Sequence, residues 1–146
     1  MEERFETFTV LINRISRNIR RIKNQEMAEY DLRSAHVSCL YYIYTLKNAT
    51  ATDLCERCEE DKATISRALD YLETNGYITR EQGAKRYKSA LQLTEKGCEV
   101  GKKIADKIDG VLNAISGGLT EEERIAFYRS LSIISESLET VSKNKE

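Results

Sequence analysis

A mainly α-helical chain with one small β-hairpin is the fold class this sequence predicts, and three observations predict it. Proline is absent from all 146 residues, which leaves long helices uninterrupted. Apolar residues recur at three- and four-residue steps through most of the chain. Around residues 77–93 the pattern changes to strand-like alternation on either side of a glycine-containing polar loop.

Taken in order, Phe5, Phe8, Ile12, Ile15, Ile19 and Ile22 form an apolar seam of about three heptads, the mark of one long helix. A polar connection containing Asp31 and Arg33 leads to Ser34, read as an N-cap. Residues 37–46 are then apolar nearly all round, with Ser38 and Thr45 the polar exceptions, and predict a buried central helix. Thr50 and Asp53 have capping-box spacing and open a two-turn helix through Ala51, Leu54 and Cys58. Asp61 caps the next helix. Its Ile65, Ala68, Leu69 and Leu72 share one face, while Lys62, Ala63, Ser66 and Arg67 share the other, until Gly76 stops it. Two helices in quick succession make a helix-turn-helix, and the small and cationic outer face of the second suits a DNA groove.

Tyr77, Ile78, Thr79 and Arg80 start one strand, and Ser89, Ala90, Leu91, Gln92 and Leu93 supply its return. The loop between them is too long for a two-residue turn and projects as a basic wing. Thr94 caps the next helix, whose seam is Val100, Ile104, Ile108, Val111 and Ile115. Gly117-Gly118 breaks it. Thr120 and Glu123 form a second capping box, from which Phe127, Leu131, Ile134, Leu138 and Val141 continue a helix almost to the end. Apolar seams at Phe5, Phe8, Ile12 and Ile15, and at Phe127, Leu131, Ile134 and Leu138, would be wet in a monomer, which predicts a homodimer.

The length suits one domain, and 40% hydrophobic content suffices for a core. Net charge is only −1, but it is unevenly spread. Arg80, Lys85, Arg86 and Lys88 face the single Glu81, and Arg14, Arg17, Arg20, Arg21 and Lys23 make a basic run, more a solvated helix face than a specific site. Asp53, Glu56, Glu59, Glu60 and Asp61 gather beside the candidate recognition helix, which weighs against very tight binding. No stretch reaches the roughly 18 apolar residues of a membrane span, and the start lacks a basic-then-apolar leader, so the expected location is the cytoplasm. No Gly-rich phosphate loop, His-Glu-x-x-His pattern or nucleophile triad occurs, so neither an enzyme nor a cofactor is expected.

Four cysteines remain. Cys55 and Cys58 have Cys-x-x-Cys spacing but lack the two further ligands of a zinc site, and read first as packing residues. Cys39 and Cys98 fall on helices where small apolar thiols are ordinary.

The order of elements and the stretches Asp61-Lys-Ala-Thr-Ile-Ser-Arg67, residues 72–80 and Leu93-Thr94-Glu95-Lys96-Gly97 resemble the MarR family of bacterial winged-helix regulators over essentially the whole chain. The resemblance implies a single domain over 1–146. Within it, residues 34–93 are a winged helix-turn-helix that binds DNA, and 1–30 with 95–142 are the helical dimerisation region. It implies a recognition helix in the major groove, a wing toward the minor groove, and a homodimeric transcriptional repressor on a palindromic double-stranded operator, released by a small-molecule effector. The expected DNA contacts are Lys62, Ala63, Thr64, Ser66 and Arg67 on the helix, with Arg80, Lys85, Arg86 and Lys88 on the wing. His36, Cys39 and Tyr42 lie close to where such regulators place their effector crevice.

One departure concerns the wing tip, where the family usually carries Asp-x-Arg and this chain reads Ala84-Lys85-Arg86-Tyr87. Counting back from Leu93-Thr94 puts Tyr87 at the arginine position, and a one-residue shift puts Arg86 there. Arg86 is favoured because a guanidinium suits a narrow, negative minor groove. Peroxide-sensing relatives carry a reactive cysteine near the N-terminus, and here none precedes Cys39. Two competing readings stay open: a winged-helix protein-interaction module without DNA binding, and a thiol or metal sensor acting through Cys55 and Cys58.

Overall fold

Residues 2–58, 60–81, 83 and 88–144 are described by the computed structural model, with the side chains of Glu2, Glu3 and Phe5 outside the description. The helices run α1 (Glu2–Glu26), α2 (Ser34–Thr45), α3 (Ala51–Cys58), α4 (Lys62–Thr74), α5 (Glu95–Ser116) and α6 (Glu121–Lys143). A short 3-10 turn at Ala28–Tyr30 joins α1 to α2, and the strands are β1 (Ile78–Thr79) and β2 (Gln92–Leu93). The chain divides into two units, 1–107 and 108–146.

In the first unit, α2 is the centre of the core. Val37, Cys39, Leu40 and Ile43 are buried, and Leu54 of α3, Ile65, Leu69 and Leu72 of α4 and Ile78 of β1 are also fully enclosed. The start of α2 departs from expectation. Ser34 is its first residue and not its cap: the Ser34 N–H donates to Asn24 Oδ1 on α1 at 2.7 Å, and the Arg33 N–H donates to His36 Nδ1 at 3.0 Å. One side chain from α1 and one from the first turn of α2 thus take these amide groups, where a serine cap was expected.

The other caps follow their local sequence. Thr50 and Asp53 satisfy each other's amides at 2.9 and 3.2 Å, and Asp61 accepts the Thr64 N–H at 2.6 Å. Gly76, at φ +79°, closes α4 in a Schellman turn: its N–H reaches Glu73 O, and Tyr77 N–H reaches Leu72 O at 2.8 Å.

The hairpin is shorter than the sequence pattern predicts. Among the described residues, Ile78 with Leu93 and Thr79 with Gln92 pair, antiparallel, and the Arg80 side chain turns back toward α4. Leu91 N–H donates to Ala49 O at 2.8 Å, anchoring the returning strand to the segment before α3.

Where α5 begins, the backbone passes unusually close to β1. Thr94 Oγ1 donates to Gly76 O at 2.6 Å and accepts the Gly97 N–H at 3.0 Å, while Thr94 N–H reaches Tyr77 O. A Cβ on Gly97 would lie 2.0 Å from Tyr77 O, so this position has no room for any side chain. The contact explains a glycine inside a helix, where it otherwise destabilises.

His36 stacks on Tyr71 of α4 at 4.2 Å between centroids, nearly parallel. Burial holds its pKa below the ordinary value of 6.5, with Arg33 acting the same way and Asp31 opposing. Its Nδ1 is an acceptor, a role that protonation removes.

The second unit contains the end of α5 and all of α6. Thr120 and Glu123 form the expected capping box, at 2.8 and 3.2 Å. No residue of α6 is buried, and Ile125, Phe127, Ile133, Leu138 and Val141 are each about half exposed. In the first unit, α1 shows the same condition at Phe8, Leu11, Ile12, Ile15 and Ile19.

Gly97→Ala should lower folding stability by about 1–3 kcal/mol, since the added methyl must push the Tyr77 carbonyl away. Chemical denaturation checks this, and an unchanged midpoint contradicts the close approach. A second expectation concerns pH. His36 has a depressed folded pKa, so its stabilisation is present above the unfolded value near 6.5 and is lost as pH falls below it. Melting curves at pH 7.5 and 5.5 should show a loss that His36→Gln reduces.

Candidate nucleic-acid interface

The inner face of α4 is fixed by burial of Ile65, Ala68, Leu69 and Leu72. Because the helix advances about 100° per residue, Lys62, Ala63, Ser66 and Arg67 then point outward. Lys62, Ala63 and Arg67 are exposed, and Thr64 and Ser66 are half-exposed. Arg67 Nη2 donates to Thr64 Oγ1 at 3.3 Å, so a neighbouring hydroxyl steadies the guanidinium on this face. The first turn thus presents one methyl, two hydroxyls and two cations, groups able to meet thymine methyls, base-edge acceptors and phosphates.

Asp61 closes the exposed N-terminal end. The Thr64 amide and hydroxyl hold its carboxyl below the usual carboxylate range, with the Arg67 charge adding to them. It therefore remains anionic and offsets part of the positive helix end.

A cavity of about 300 Å³ lies between α3 and α4. Ala51, Thr52 and Cys55 form one wall and Lys62 and Ser66 the other, above Ile65 and Leu69. Thr52 and Cys55 were not expected beside this face. Their signal was the amphipathic register of α3, which places them opposite neither Ala51 nor Leu54 but between the buried row and solvent.

The wing residues divide. Arg80 does not join the outward set: its side chain is 3% exposed, and Nη2 contacts Asp70 Oδ1 at 2.5 Å and Glu73 Oε1 at 3.3 Å. Its guanidinium crosses from the end of β1 to the last turns of α4 because two carboxylates there compensate a charge that burial would otherwise penalise. Asp70 accepts from Arg80, ten residues on. Lys88 is exposed at the return of the wing. Lys85, Arg86 and Tyr87 lie outside the described residues.

The expected effector trio is spread over different surroundings. His36 lies against Tyr71, Cys39 is wholly buried facing α3, and Tyr42 sits beside Tyr41 with Arg57 and Cys58 close by. Other side chains line the groove above, and others again an open concavity of about 1040 Å³ between Leu112, Leu119, Arg124 and Tyr128 in the second unit. Among the described residues no cluster of three or more His, Cys, Asp or Glu side chains is placed to hold a metal ion, and no helix is long and apolar enough to cross a membrane.

Comparison with known proteins bears on this geometry. Residues 30–86, spanning α2, both helices of the helix-turn-helix and the wing's first arm, match the model of the MarR family. The HTH-type transcriptional regulator YwoH of Bacillus subtilis is 24% identical over 116 residues, 80% of this chain and 85% of that protein. The fold is that of Staphylococcus aureus MepR, solved as a DNA complex, with a TM-score of 0.79 at 22% identity, covering 90% of this chain and 97% of MepR. A MarR-family regulator from Listeria monocytogenes, solved with a 26mer DNA, gives a TM-score of 0.78 at 27% identity, covering 87% of this chain and 85% of that one. With the helix-turn-helix, the hairpin and the two long flanking helices in the same order, the chain is similar to the MarR family of helix-turn-helix transcriptional regulators in fold and across residues 30–86.

Proposed function

We propose that the protein works as a homodimer on a palindromic double-stranded DNA operator, as a cytoplasmic repressor whose hold on DNA is relieved by a small-molecule effector. One observation carries the reading: the exposed first turn of α4, with Lys62, Ser66 and Arg67 facing outward from a helix locked by its buried side. A helix so held reads a groove without paying to order itself on binding. That MepR and the Listeria regulator were solved with DNA supports DNA as the partner.

In this reading α4 enters the major groove, with Lys62, Ala63, Thr64, Ser66 and Arg67 toward base edges and phosphates. Lys85, Arg86 and Lys88 of the wing supply backbone or minor-groove electrostatics. Arg80 belongs to the support of the site, since its guanidinium is already held by Asp70 and Glu73. A second copy covers the exposed apolar rows of α1 and of α6. Dimer symmetry then explains the need for a two-fold operator. His36, Cys39 and Tyr42 remain the proposed neighbourhood of effector action, through the packing of α2.

Arg67→Ala should cost about 1–3 kcal/mol at the preferred operator and relax base preference at one position of each half-site. Arg86→Ala should weaken binding evenly across sequences and make the salt slope shallower by about one unit. Titration of both variants against a selected duplex and a scrambled one, at several salt concentrations, separates these effects. If neither substitution changes binding, the surface is wrong and the chain is better read as an interaction module. Sedimentation at micromolar concentration should give a dimer; a well-folded monomer there would remove the reason for a palindromic site.

A further inference from the structure

Residues 26–31, where α1 gives way to α2, form a corner that is gripped from two sides. From the recognition side come two tyrosines. The Tyr71 hydroxyl on α4 donates to Asp31 O at 2.8 Å, with Asp31 Oδ2 at 3.4 Å, and the Tyr77 hydroxyl, just before β1, donates to Tyr30 O at 3.5 Å. From α5 come two lysines. Lys103 Nζ donates to the Tyr30 hydroxyl at 2.8 Å, and Lys107 Nζ donates to Glu26 O at 2.7 Å and pairs with its carboxylate at 3.2 Å. Inside the corner Met27 is sealed from solvent, and Asp31 takes the left-handed conformation at φ 56° with its N–H on Ala28 O, a conformation that aspartate adopts more readily than most residues.

Tyr71 is placed to decide where the outer face of α4 points. It follows Arg67 by four residues, so the two side chains leave the helix within about 40° of each other, one turn apart. The buried row of Ile65, Leu69 and Leu72 holds α4 by apolar contact, which is non-directional and resists a small roll of the helix only weakly. A hydrogen bond to a fixed carbonyl does carry direction. The His36 ring, lying nearly flat on the Tyr71 ring at 4.2 Å, holds the phenol against sideways movement. At neutral pH the phenol stays protonated and so remains a donor.

We propose that Tyr71 is a positioning residue for DNA binding, one that sets the roll of α4 by tying it to the 26–31 corner and so passes the state of α5, read through Lys103 and Lys107, to the face that carries Arg67. The inference rests on the DNA-binding reading above, and Tyr71 acts in it only through α4. The path is continuous: Lys103 holds Tyr30, the backbone joins Tyr30 to Asp31, and Asp31 holds Tyr71, one turn from Arg67. Displacement of α5 moves the Tyr30 and Asp31 carbonyls. The two tyrosines then either follow, turning α4, or let go, leaving α4 less fixed. Both outcomes lower affinity for a site read by base edges and leave phosphate contacts, which tolerate a small roll, in place.

The test uses the full-length protein, the selected and scrambled duplexes, and Arg67→Ala as the control. Tyr71→Phe keeps the ring on His36 and removes the hydroxyl. It should lower affinity for the selected duplex by roughly three- to ten-fold, the fold-change that one net hydrogen bond supplies. The scrambled duplex and the salt slope should be unchanged, because no cation is lost. Lys103→Met should act likewise alone and add little on top of Tyr71→Phe. A DNA-free measurement stands beside these: the chain has one histidine, so its imidazole resonance needs no assignment, and Lys103→Met should shift it through movement of the Tyr71 ring. That readout holds if a Tyr71 variant fails to fold. If Arg67→Ala weakens binding and Tyr71→Phe does not, the inference falls and the DNA-binding reading stands; if neither does, DNA binding at this face falls, and the inference with it. Full additivity of the two substitutions, or an unmoved His36 resonance in Lys103→Met, would overturn the link to α5.

Discussion

Burial of the inner face of α4 is the constraint on which the rest of the structure depends. Ile65, Leu69 and Leu72 are sealed from solvent against the core built around α2, and each such side chain contributes about 1.5–3 kcal/mol relative to exposure. That anchorage frees the opposite face from any structural duty. Lys62, Ser66 and Arg67 stay at the surface because the helix is already held from behind. Weakening the buried row would change the angle of the outer row before it unfolded the chain, since both ride on one rigid rod.

The end of that rod is fixed to the hairpin by a dense polar junction. The Gly76 turn, the Thr94 hydroxyl, the Gly97 approach and the Arg80 ion pairs all lie within the last turns of α4, β1 and the first turn of α5. Sequence patterns that look like separate motifs, 72–80 and 93–97, are the two halves of this junction. The Arg80 Nε is buried without a hydrogen-bond partner, a local deficit that the contacts of its Nη2 to Asp70 and Glu73 offset.

The parts of the fold legible in the sequence are those governed by local rules. Thr50, Asp61, Thr94 and Thr120 each cap the helix they precede, Gly76 ends α4, and the apolar spacing names the buried row of α4 correctly, because capping and periodicity act within a few residues. The misreadings are contacts across sequence. Ser34 gives its amide to Asn24, ten residues back, and does not cap, and Arg80 turns inward to Asp70, also ten residues back. No local pattern distinguishes an arginine facing a phosphate from one facing a carboxylate, since the same donor fork serves both. For the same reason the outward face of α4 was readable while the surroundings of His36, Cys39 and Tyr42, set by which helix packs on each side of α2, were not.

The lack of any buried residue on α6 has a thermodynamic consequence for the regulator's abundance. A 23-residue helix with so much apolar surface open gains little from its own unit, and isolated helices are marginal in water. In the proposed dimer its folding free energy comes through association, which ties apparent stability to the concentration of the chain itself by mass action. When few copies are present, the C-terminal helix loses its cover and frays first, becoming the segment most open to proteolysis. A regulator built this way sets a floor on its own useful copy number: below it, clearance accelerates, and above it, each chain protects another.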